Sequence, residues 1–209
     1  MSPEKQKELG EIIKCLFEQY KSLLKDIPQC QLDCIVSPGF PILWFGDIER
    51  YFSSSEKTIS IGINPSSREL TKGTKVAFKR FPGIEYSSMS TSPGNYCNQL
   101  NHYFENEPYI WFKRGTYNEL YEGYLKKGLI HIDCYSAIAT KPSWSKLCTP
   151  LKKRLRDDNA AVFKDILTFL APKRIYLASS KTERLSIIKA CKEALGESFN
   201  SFDDILKYR

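Results

Sequence analysis

The chain reads as an α/β protein, a three-layer α/β/α sandwich around a mostly parallel four-stranded sheet. Short apolar and β-branched runs at 58–63 and 128–133 are separated by longer amphipathic segments, the alternation that builds parallel sheets. The 209 residues, 42% of them hydrophobic, are enough for one domain with a full core. The seven cysteines follow no regular framework, so they read as reduced thiols of a cytoplasmic protein and not as disulfide staples.

The elements follow in order. Residues 4–25 carry Leu9, Ile12, Ile13, Leu16, Phe17, Tyr20, Leu23 and Leu24 on one stripe, with Ser2 as N-cap and Pro3 at the first helical position. This helix, within residues 1–27, serves packing. Proline and glycine at Pro28, Pro38, Gly39, Pro41 and Gly46 keep 28–47 irregular, with 42–45 a short strand or a pocket wall. Residues 58–63 form a buried strand that runs into Asn64-Pro65, where proline ends the ladder and delivers Asn64 to a loop. In open α/β sheets, ligands bind beyond such carboxyl ends.

A long connection over 66–95 follows, then helices over 93–104 and 117–127, a second central strand over 128–133 that ends at Asp133, and a helix over 157–170. A helix over 182–195 follows Ser179-Ser180-Lys181, and 199–202 suits a short strand. No repeat or linker divides the chain, so residues 1–209 read as one domain.

Gly62-Ile63-Asn64-Pro65 resembles the first active-site motif of the uracil-DNA glycosylase superfamily, in the form used by its mismatch-specific and thymine-DNA glycosylase branch. The resemblance covers a core of about residues 58–195 and implies a uracil-DNA glycosylase-like sheet, with 172–181 as the family's third strand and its small-residue turn. It implies that Asn64 orients the attacking water, that Ile63 lines the base pocket, and that Phe78 (or Phe81) stacks on an extruded base. The strand beginning at Gly128 ends, in the family, in an asparagine that reads the base edge; here Asp133 stands there. Ser66 replaces a bulky tyrosine or a glycine, so this wall leaves space at C5 of a pyrimidine. The family's C-terminal His-Pro-Ser or Asn-Pro-Ser loop is absent from the final residues.

Asp133 alters the recognition chemistry. An ionised carboxylate only accepts, which suits the N4 amino group of cytosine and repels uracil O4. A carboxyl that burial keeps protonated instead donates a proton to the base. Together Ser66 and Asp133 point to a 5-modified cytosine. The expected enzyme is a monofunctional DNA glycosylase, a hydrolase acting by base flipping and base excision, with antiviral defence against phage of modified DNA as a role. Two alternatives stay open: a uracil or thymine-mismatch repair glycosylase, and a catalytically inactive DNA-binding module of the same fold.

Net charge is +7, and two runs concentrate it. Residues 68–80 hold five basic side chains against the single Glu69, and 141–156 hold six with no acid. Both flank site loops, which favours a DNA partner. Ser67, Lys75, Lys79 and Lys141, with Ser179, Ser180 and Lys181 at a helix start, are the expected phosphate contacts. No metal is expected, since His102 and His131 are too scattered for a centre, and His131 reads as a pocket or core histidine that can donate to the departing base. One branch of the superfamily holds an iron–sulfur cluster, which Cys30, Cys34, Cys134 and Cys148 echo as an alternative to having no cofactor. No apolar run reaches the ~20 residues of a membrane span. The protein is expected to be a monomer.

Overall fold

The computed structural model describes residues 1–73, 76–86, 92–113 and 117–204. Four strands form one sheet: β1 (Thr58–Gly62), β2 (Ile130–Asp133), β3 (Arg174–Leu177) and β4 (Phe202–Asp204), in the order β2-β1-β3-β4. All three pairings are parallel, and helices cover the sheet in an α/β/α arrangement. The fourth strand lies slightly later than the sequence suggests, with Phe199 packed edge-on against Phe202 just before it.

Register decides what each sheet face offers. Ile59 pairs with Ile130 and Ile175, and Ile61 with Ile132 and Leu177, so one face is an aliphatic layer. The other face carries Ser60 beside His131 and Gly62 beside Asp133. The two-residue period of a strand thus gathers the polar groups of β1 and β2 on a single side.

Helix α1 (Pro3–Asp26) begins as its sequence dictates: Ser2 Oγ accepts from the Lys5 N–H, and Pro3 occupies the first turn. Two short helices, α2 (Gln29–Leu32) and α3 (Ile48–Ser53), interrupt the irregular N-terminal third. Between them, residues 41–45 run as a wall beside β2, where Phe45 and His131 exchange both backbone hydrogen bonds at 2.8 and 2.9 Å. Helix α4 (Pro93–Asn101) is followed by a 3-10 turn at Ile110–Lys113 and by α5 (Tyr117–Lys126), whose Tyr124 reaches Ser60 on the polar face.

Gly128, at φ +70°, turns the chain from α5 into β2, and a Cβ there would lie 2.7 Å from the Arg50 carbonyl. Helix α6 (Thr149–Leu170) starts eight residues before the sequence expectation of 157, because Pro150 sits in its first turn as a start signal. It packs on α1 and on α7 (Lys181–Leu195). Among the described residues no helix is long and apolar enough to cross a membrane.

Candidate active site

A cavity of about 850 Å³ opens beyond the carboxyl ends of β1, β2 and β3. Gly62, Ile63, Asn64, His131 and Asp133 form its strand side, and Ser66, Ser67, Arg68 and Glu69 its loop side. Tyr109, Trp111, Phe112 and Trp144 give it aromatic walls. Asn64 and Asp133, brought out by neighbouring strands, therefore face one space.

Asn64 is held in one orientation. Its Nδ2 donates to Pro65 O at 3.0 Å and to Thr140 Oγ1 at 2.9 Å. A carbonyl can only accept, so the NH₂ must lie on that side. Both amide protons are thereby used. Oδ1, with no donor among the described residues, is the atom left to accept from a water or ligand.

Asp133 is 8% exposed, and its Oδ1 lies 3.5 Å from His131 Nε2. Behind it runs a buried chain: Tyr124 OH to Ser60 Oγ at 2.6 Å, and Ser60 Oγ to His131 Nδ1 at 2.7 Å. Burial pushes the Tyr124 phenol well above its ordinary range, so it keeps its proton. Its one acceptor among the described residues is Ser60 Oγ, whose own proton then goes to His131 Nδ1. The imidazole is left with its N–H on Nε2, facing the carboxylate. Phe45, Trp111 and Phe112 pack round the ring at 5.7, 5.7 and 5.2 Å between centroids. Gly62 makes this arrangement possible, since a Cβ there would stand 2.5 Å from Asp133 Oδ1 and 2.9 Å from His131 Nε2.

A second carboxyl lines the same cavity. Glu69 is 3% exposed, and Tyr103 OH donates to its Oε2 at 2.5 Å. Burial pushes its pKa up to about 7, against the opposing influences of Tyr103 and Arg80 and with a further push from Asp133. The sequence presents Glu69 only as a lone acid in a basic run. Its reach to Tyr103 is a tertiary contact with no local signature.

Most of the expected base-pocket residues meet here: Ile63, Asn64, Ser66, His131 and Asp133 all line the cavity. Phe78 does not, and its expected stacking role is corrected. It is 2% exposed, edge-on to Phe40 at 5.4 Å and to Tyr86 at 5.8 Å, and Phe81 is equally buried. The accessible aromatic surface belongs instead to Trp111, which is 38% exposed and edge-on to His131. The run Tyr109-Ile110-Trp111-Phe112 was the signal for it in the sequence.

The phosphate candidates divide. Ser67 and Ser180 line the cavity, and Lys141 and Lys181 are exposed. Ser179 is buried, with an Oγ that has no hydrogen-bond partner, so it is not a surface contact. Lys79 is paired with Glu107 at 2.8 Å, and Lys75 lies outside the described residues. Much of the second basic run is spent within the fold. Lys153 pairs with Asp157, Arg154 with Asp158, and Arg156 with Glu183 while lying 3.9 Å over the Tyr135 ring. Lys152 remains on the cavity lining, near Trp144, whose buried Nε1 has no partner.

The four cysteines do not form a cluster site. Cys134 is buried beside a separate cleft of about 450 Å³ between α6 and α7, whereas Cys30 and Cys148 are exposed. Among the described residues, no three histidine, cysteine or acidic side chains come together to hold a metal ion. No protein-family model, curated protein or solved structure matches the chain.

Proposed function

We propose that the cavity receives a single unstacked pyrimidine and that the protein is a DNA glycosylase hydrolysing its N-glycosidic bond, with a 5-modified cytosine as substrate. The observation that carries this reading is the convergence of a fixed carboxamide acceptor, Asn64 Oδ1, and a carboxylate, Asp133, on one aromatic-walled cavity. Breaking the bond makes the sugar oxocarbenium-like and sends negative charge onto the base. Asn64 positions the water that attacks the sugar carbon. Asp133 accepts from the N4 amino group, and Trp111 offers a stacking surface.

The volume supports a substituted base. About 850 Å³ lies high in the range of roughly 300–1,000 Å³ that holds whole small ligands. Ser66, small and tied to the Arg68 N–H at 3.2 Å, leaves that space open on its side. Arg68, Lys141, Lys146 and Lys152 are the basic groups best placed for a polyanion. The likeness of Gly62-Ile63-Asn64-Pro65 to the superfamily's first motif agrees with these roles, and a part in defence against phage with modified DNA would follow from the substrate.

The test is incubation with duplexes carrying uracil, a T·G mismatch, 5-hydroxymethylcytosine or its glucosylated form, followed by alkali. Strand breaks confined to modified cytosine are expected. Breaks at uracil would favour a repair enzyme, and DNA affinity without breaks would favour a binding module. Asn64→Ala should slow abasic-site formation by on the order of 10²–10³-fold, about 3–4 kcal/mol of transition-state stabilisation. Unchanged rates would remove the role assigned to Asn64.

A further inference from the structure

Glu69 lines the cavity, and the mechanism above does not use it. We infer that Glu69 is the acid of this site: its Oε1–H donates to the acceptor edge of the bound ring and, on the glycosylase reading given above, passes its proton to the departing base. The inference rests on that reading and adds to it a proton source and a basis for choosing cytosine over uracil.

The hydrogen bonds fix where the proton sits. Tyr103 OH accepts from the Tyr109 N–H at 3.0 Å and therefore sends its own proton to Glu69 Oε2. Oε2 is occupied as an acceptor, so a carboxyl proton belongs on Oε1. Among the described residues no partner reaches Oε1, and the carboxyl lines the cavity. The groups facing it are few: Tyr103 after α4, Arg80 from the loop before α4, and Asp133 from β2. The Arg80 Nε is 3.9 Å away, beyond hydrogen-bonding distance, and its Nη1 is spent on Arg68 O at 2.6 Å. The ion pair with Arg80 and the Tyr103 hydrogen bond do not offset burial and the neighbouring Asp133, so the acid titrates near 7 and still carries protons at neutral pH.

Of the three carboxyls on the cavity, Glu183 is spent on Arg156 and Tyr135, and Asp133 and Glu69, in different environments, take different parts. Asp133 accepts, while Glu69 donates. Cytosine offers a matching edge, an N4–H donor beside the N3 and O2 acceptors, whereas uracil presents O4 and N3–H in the opposite order. Proton transfer also answers the chemical difficulty, since cytosine leaves less readily than uracil. As the C1′–N1 bond breaks, its electron pair goes to the base and Glu69 supplies the proton that lets cytosine depart neutral. The oxygen of the water held by Asn64 bonds to C1′. That water's proton passes to solvent, from which Glu69 is reprotonated.

The experiment is single-turnover abasic-site formation by wild-type, E69Q and E69A protein, between about pH 5.5 and 8.5, on 5-hydroxymethylcytosine and uracil duplexes. Glutamine keeps the Tyr103 contact and cannot deliver a proton. Wild-type rates on modified cytosine should fall up to about tenfold per pH unit above roughly pH 7. E69Q should lose about 100-fold and show no such fall, with a much smaller loss on uracil. E69Q and E69A working at wild-type rate with the wild-type profile would overturn the inference and leave the glycosylase reading standing. Activity on uracil alone would overturn it too. Wild-type protein that makes no abasic site on any duplex would overturn both. Should the variants lose their cooperative melting transition, the wild-type profile decides: a rate that rises with pH through 7 overturns the assignment.

Discussion

The two halves of the cavity are built differently. The strand half, with Gly62, Asn64, His131 and Asp133, has its polar groups fixed by register, by a buried chain of hydrogen bonds and, at Asn64, by Pro65 O and Thr140 Oγ1. The loop half, with Arg68, Glu69 and Tyr109, is held by long-range side-chain contacts, chiefly Tyr103 to Glu69 and Arg80 to Arg68 O. Groups mounted on strands are positioned by the whole sheet, so small intrusions there should be severe. Groups on loops can move, and their value lies in environment more than in placement. The difference suggests that the strand half fixes geometry and the loop half tunes protonation.

The sharpest test of that contrast is Gly62→Ala. The added methyl would stand 2.5 Å from Asp133 Oδ1, on a sheet that cannot yield without disturbing its neighbours. Overpacking of this kind costs about 1–3 kcal/mol, readable as a lower urea midpoint. On the proposed function, cutting at modified cytosine should fall by about 100-fold, because misplacement of about 1 Å is enough for such losses. If G62A keeps wild-type cutting, the position of Asp133 is not what the strand half supplies.

The same contrast explains what could be read from the sequence. Asn64 and Asp133 were legible because strand alternation and strand ends are local features: a run that stops at Asn64-Pro65 must deliver its last residue to the sheet's carboxyl edge. Phe78 was not. A tight fold of the following loop, with Phe78 N–H bonded to Ile84 O and Lys79 N–H to Thr71 O, turns the ring inward onto Phe40. Nothing in the spacing from Asn64 encodes that turn. Glu69 was hidden for a related reason, since its partner Tyr103 lies 34 residues away. The second basic run looked like a free phosphate-binding loop because its acids, Asp157 and Asp158, come just beyond it; as α6 they fall one turn along and pair with Lys153 and Arg154.

The loop half makes a prediction about stability. Glu69 has an ordinary pKa of 4.5, raised on folding to about 7. The folded state therefore holds a proton that the unfolded chain releases between these values. The stability associated with protonated Glu69 is complete below about pH 4.5 and is lost as pH rises through 7. By pH 8 the cost of the buried charge should be roughly 3 kcal/mol. Glutamine carries no such charge. Denaturant melts should thus find E69Q more stable than wild type at pH 8 by about that amount, with the gap closing near pH 4.5. Parallel curves at both pH values would mean that Glu69 is not buried as an acid, and the two halves would no longer differ in kind.

The smallest expected effects concern two adjacent lysines at the rim. Lys152 lines the cavity, with Nζ 3.1 Å from Ser145 O, while Lys153 points to solvent and pairs with Asp157 at 2.7 Å. Each carries one positive charge, so net charge alone predicts equal losses of DNA affinity. Placement predicts otherwise. Lys152→Ala should weaken binding a few-fold and reduce the slope of log affinity against log salt by about 1, the signature of one lost phosphate contact. Lys153→Ala should change stability by no more than about 0.5 kcal/mol, as exposed helical pairs do, and leave the salt slope nearly as it was. Equal slopes for the two variants would mean that phosphates feel only the general field of α6, and that its first turn is not part of the wall.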